Sequence, residues 1–153
     1  MGLSSEIAKG VRNLYQGGNY TGVNFKETLA NINWQQAGTK VHSFNTIAAL
    51  VYHIDYYVVA VSDVLRGGQL NASDQYSFDH PQVESSEDWN HLLDRFWKDG
   101  EEFARLVEDF PADKYSEPFL DGKYGTYYRN IAGVVEHANY HLGQILLIKK
   151  LVA

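Results

Sequence analysis

Apolar side chains recur at threes and fours along most of this chain, and the recurrence fails where Gly, Pro, Asn and Ser accumulate. The clearest run is Trp89, Leu93, Phe96, Gly100, Phe103, Val107 and Phe110. It starts at Ser85 or Ser86, carries Glu87 and Asp88 in its first turn where they complement the helix dipole, and stops at Pro111. Three more helices follow from the same rule. The first spans residues 4 to 36, with a Ser4-Ser5-Glu6 start, inward Ile7, Val11 and Leu14, and a break or kink at Gly17-Gly18-Asn19 before Phe25, Leu29 and Ile32. The second runs from Phe44 to Leu65, with Ser43 as N-cap and Gly67-Gly68 as stop. The last begins at Tyr127 and includes the run Ile131 to Leu151.

Residues 69 to 85, rich in Asn, Ser, Asp and Gln, form a long connection, either a crossover or a functional lid. Pro111 to Gly125, with two prolines and two glycines, is a second loop. No repeat and no alternating Val/Ile-rich strand appears. The expected fold is all-α: a four-helix bundle with long connections, spanning residues 1 to 153 as a single domain.

At about 100° per residue, the positions of the histidines can be placed on these helices. His137 and His141, four residues apart, fall within roughly 40° of each other on the last helix and face inward beside Val134 and Ile148. Asn130 and Gln144 share that azimuth beyond each end of the pair, while Glu136 turns roughly 100° or more away. On the second helix His53 lies on the apolar side near Tyr57, whereas Asp55 falls in the polar arc with Asn45, Ser62, Asp63 and Arg66 and is expected to point out. Buried together without a partner, neutral imidazoles would leave ring nitrogens unsatisfied at about 1 to 3 kcal/mol each. A metal ion removes that cost. His53, His137 and His141 are therefore the candidate ligands of an open divalent site between helices 2 and 4, with positions left for water or substrate. Tyr57, Asn130 and Gln144 are candidate pocket-lining residues. The other histidines are assigned ordinary roles: His42 and His91 solvated or capping, and His80 in the long loop, where it could close over a pocket. Tyr56, Tyr127, Tyr128 and Tyr140 read as packing residues.

Composition narrows the chemistry. Thirteen basic against nineteen acidic residues leave a net charge of −6, with no basic patch to track a phosphate backbone, so nucleic acid is not an expected partner. The absence of Cys removes thiolate ligands and a Cys nucleophile, so any thiol must come from outside. The N-terminus has no apolar signal core, and His53 and Asp55 interrupt the longest apolar stretch, so neither a membrane span nor a leader is expected and the chain is read as cytoplasmic.

Three passages carry a family resemblance: Trp34-Gln35-Gln36-Ala37 with Phe44-Asn45-Thr46-Ile47-Ala48, the stretch Leu50 to Tyr57 around His53, and above all Glu136-His137-Ala138-Asn139-Tyr140-His141-Leu142-Gly143-Gln144-Ile145. Together they resemble the DinB-like (damage-inducible) superfamily of four-helix-bundle proteins over essentially the whole chain. The resemblance implies a divalent metal, nickel or zinc, on His53, His137 and His141, and a homodimer. It also implies a small-molecule substrate, with related proteins transferring or isomerising low-molecular-weight thiols. A metal-dependent hydrolase or thiol S-transferase is the favoured expectation; the alternative is a non-catalytic metal- or ligand-binding bundle of stress-response type.

Overall fold

The computed structural model describes residues 2–153, which are helical with no strand among them. In chain order the helices are α1 (Leu3–Gln16), α2 (Phe25–Leu29), α3 (Trp34–Gly38), α4 (Ile47–Leu65), α5 (Ser86–Asp109) and α6 (Tyr127–Val152). Single 3₁₀ turns at Asp74–Tyr76 and Ala112–Lys114 interrupt the two long connections. Four of the helices are long. α5 packs on both α1 and α4, and α4 packs on α6, so α4 is gripped on opposite sides.

One contiguous apolar core runs through all six α-helices. Its densest part is aromatic: Tyr15, Phe25 and Phe96 meet with ring centroids 4.9 to 5.1 Å apart. Gly100 sits directly beneath Tyr15, where a Cβ would overlap the edge of the ring. Phe119, from the loop before α6, is also fully buried, so that connection is part of the core. Lys149 ties α6 to the short α2, its ammonium donating to the carbonyls of Thr28 and Ala30 at 2.7 and 3.0 Å. These are carbonyls that a helix end leaves without intrahelical partners.

The helix boundaries differ from expectation in instructive ways. Residues 4 to 36 do not form one kinked helix. Gly17 and Gly18 adopt positive φ of 114° and 88°, which ends α1 outright, and the chain restarts as two five-residue helices capped by Asn24 and Asn33. Ser4 does not cap α1; it is buried and donates to the Phe110 carbonyl at 2.6 Å, joining the start of α1 to the end of α5. The cap of α4 is Thr46 rather than Ser43, and Phe44 is left outside the helix and exposed.

Asp55 is the larger correction. It is 1% exposed, not solvated, because the polar arc of α4 is covered by α5. Arg95 of α5 reaches it at 3.2 Å, while the other carboxylate oxygen has no hydrogen-bond partner. Burial, then the nearby Asp99, raises the Asp55 pKa against the opposing pull of Arg95. By length and composition α4 would also pass for a membrane span despite His53 and Asp55, but 72% of that window is buried inside the protein.

Because the Tyr15 ring is fixed by Phe25 and Phe96, it cannot yield to an added methyl at Gly100. Gly100→Ala is expected to destabilise the fold by about 1–3 kcal/mol in urea unfolding, despite the better helix propensity of Ala.

Candidate metal centre

His53 near the middle of α4 and His137 with His141 on α6 project into the contact between these two helices. Among the described residues they form a group of donors whose ligand atoms all lie within 4.8 Å of one another. The His137 Nε2 is 3.0 Å from the His53 Nε2 and 3.1 Å from the His141 Nε2.

The outer two rings are oriented by their other nitrogens. His53 Nδ1 lies 3.2 Å from the Ser77 carbonyl oxygen, and His141 Nδ1 lies 2.7 Å from Gln144 Oε1. Both oxygens can only accept, so both Nδ1 atoms donate, and each neutral ring turns a bare Nε2 lone pair toward His137. The His137 Nε2 can carry one proton and can answer only one of those lone pairs. The other is left facing nitrogen, an unsatisfied buried acceptor.

A second proton would resolve the conflict only at the cost of a buried charge. The His137 pKa is pushed down to about 4, by burial first and then by His141 and His53. That of His53 is lowered too, again mainly by burial and partly offset by the Ser77 carbonyl. A divalent cation accepts all three lone pairs at once. Ligands at ~2.0–2.1 Å around one ion stand roughly 2.8–3.4 Å apart in octahedral or tetrahedral geometry; the 3.0 and 3.1 Å separations from His137 fall in that range, and all three ligand atoms lie within 4.8 Å of one another. The donor set fits a metal ion, and the Nδ1 partners supply the outer hydrogen bonds that metal-bound imidazoles characteristically make.

Beside His53 and His137 opens a cavity of about 520 Å³. Tyr57 and Val61 of α4 form one wall, and Asn130, Gly133 and Val134 of α6 another. The third comes from the long loop, through Asp74, Ser77 and Phe78. Consecutive tyrosines of α4 hold this loop in place: Tyr56 Oη exchanges hydrogen bonds with the backbone of Ser73, and Tyr57 Oη donates to the Asp74 carboxylate. Phe78 then lies flat on the His53 ring, with centroids 3.8 Å apart and planes within 6°.

The candidate residues are thus divided. Tyr57 and Asn130 line the cavity; Asn130 also donates to the carbonyls of Tyr124 and Thr126, stitching the first turn of α6. Gln144 lies behind His141, bonded to it and to Tyr140. His80 does not join the cluster; its ring faces Tyr52 and its Nδ1 lies 2.7 Å from the Pro81 carbonyl. His42 and His91 are exposed, while Tyr128 and Tyr140 are exposed rather than packed. Sequence reasoning did not single out Asp74, Ser77 or Phe78. Their only signal was the length of the connection that carries them, since helical periodicity is silent in a loop.

The family model of the DinB superfamily matches residues 24–145, a stretch that contains all three histidines and the loop over them. No curated protein and no solved structure matches the chain.

The depressed pKa of His137 has a definite consequence for the metal-free protein. Between its folded value of about 4 and the ordinary histidine value of about 6.5, the unfolded chain binds the extra proton and the folded chain does not. The contribution is intact above pH ~6.5 and lost as pH falls towards 4, whereas Asp55, with its raised pKa, works in the opposite direction. Urea midpoints of the metal-free wild type relative to His137→Gln should therefore decline from pH 6.5 to pH 4. A constant difference across that range would contradict the assigned burial.

Proposed function

The chain belongs to the DinB superfamily, and on that footing we propose that it is a single four-helix-bundle domain holding one divalent ion, nickel or zinc, on His53, His137 and His141. We further propose that it acts as a metal-dependent enzyme, of hydrolase or thiol S-transferase type, on a small molecule. The observation that carries this reading is the convergence of three Nε2 atoms, two with Nδ1 already donating elsewhere, at the edge of a cavity large enough for a substrate. Three neutral protein ligands beside an open space are the pattern of a catalytic rather than a closed structural site.

A divalent ion held by these nitrogens supplies Lewis acidity toward a water, a thiol or a polarised electrophile. The protein's own contribution is orientation and enclosure. Ser77 and Gln144 hold the outer imidazoles with their lone pairs inward, which keeps them from rotating out of register. Phe78 shields one face of His53 from water. Tyr57 and Asn130 present polar groups on two different walls of the cavity, where they can position a bound molecule. With no Cys in the chain, a thiol reactant enters as substrate.

Protein purified without an affinity tag and incubated with Ni²⁺ or Zn²⁺ is expected to hold about one equivalent by elemental analysis. His137→Ala should weaken binding at least about a hundredfold, and Gln144→Leu, which removes only the outer hydrogen bond, by about tenfold. Less than about a tenth of an equivalent in the wild type would sink the metal site.

A further inference from the structure

The cavity beside the histidines is lined by a single ionisable side chain other than the imidazoles and Tyr57, and that side chain is a carboxylate. Asp74 stands on the loop wall, and no lysine or arginine lines the cavity among the described residues. Tyr57 donates to Oδ1 of Asp74, leaving Oδ2 and the negative charge available. None of the ion pairs among the described residues involves Asp74. Most of the remaining wall is apolar or aromatic, with Phe78 and Tyr57 flanking the carboxylate's approach to His53.

From this arrangement we propose that the site selects a cationic small molecule, with Asp74 as the specificity-determining residue. The reacting head of the ligand lies at the three histidines, and an amine or quaternary ammonium on the same molecule rests against Asp74 beside the aromatic side chains of Phe78 and Tyr57. Carboxylate and aromatic rings are the two groups that recognise such a cation. An anionic end group at that position meets a like charge on the wall and finds no guanidinium or ammonium to answer it, so at the end of the ligand remote from the metal a cation is favoured over an anion. The inference rests on the metal reading above, because it places the head of the ligand at the histidines.

The test uses the full chain loaded with Co²⁺, whose visible spectrum reports first the metal and then a thiolate bound to it. Three probes share a two-carbon spacing between sulfur and end group: thiocholine carries a cation, 2-mercaptoethanol is neutral, and 2-mercaptoethanesulfonate carries an anion. At low ionic strength the wild type is expected to bind thiocholine about tenfold or more tighter than the sulfonate, with the neutral thiol between. Asp74→Asn should bring most of that ratio down while leaving Co²⁺ stoichiometry unchanged. Differences in thiol acidity are common to both proteins and cancel in the comparison. Equal or tighter binding of the sulfonate by the wild type, or a ratio unaltered in Asp74→Asn, would overturn the assignment while the metal site stands. Failure to take up Co²⁺ at all would overturn the metal reading, and this inference with it.

Discussion

Three imidazole nitrogens meeting at one point, two of them bare lone pairs turned toward the third, constrain the middle of this molecule. His53 and His141 have their protons committed to Ser77 and Gln144, so neither can relieve the crowding by changing tautomer without losing an existing hydrogen bond. His137 can answer only one of them. The surrounding fold tolerates that frustration because α4 and α6 are held together by the apolar core on which the histidines sit. Unpaired polar groups kept in place by an otherwise well-satisfied core are a recurrent property of functional sites.

The same geometry explains why the long loop between α4 and α5 is ordered over the site. Tyr56 and Tyr57 each reach into it, and His53 ends the series by donating to Ser77 while stacking under Phe78. One face of α4 therefore carries the candidate ligand, the cavity wall and the anchor of the loop on residues 53, 56 and 57, within about one turn. The opposite face meets α5, where Asp55 is buried against Arg95. A helix packed on both sides can carry chemistry on one and an ion pair on the other without the two touching.

Electrostatics then divides the labour between the centre and its mouth. Imidazole ligands bring no charge of their own, so a divalent ion held by them would keep its full charge at the edge of the cavity. The one carboxylate of the wall stands on the loop, beyond the ligand set. Charge at the mouth is thereby set by a residue that is separate in sequence from the histidines.

Periodicity alone was sufficient to establish the helical class, the extent of α5, the start of α6 and the inward direction of the three histidines, because each of these depends on where side chains fall around a single helix axis. It misjudged residues 4 to 36, where two glycines of positive φ stop the helix rather than bend it, and the start of α4, where Thr46 competes with Ser43 for the cap. Asp55 shows the limit most clearly. Its azimuth was counted correctly as opposite the apolar stripe, but whether that side meets water or another helix depends on α5, forty residues away in sequence. Asp74, Ser77 and Phe78 lie beyond the same limit, since a loop has no period from which direction can be read. Sequence therefore determined which nitrogens could share an ion; only the tertiary structure decided what surrounds them, because that is set by contacts between segments and not by the geometry of any one.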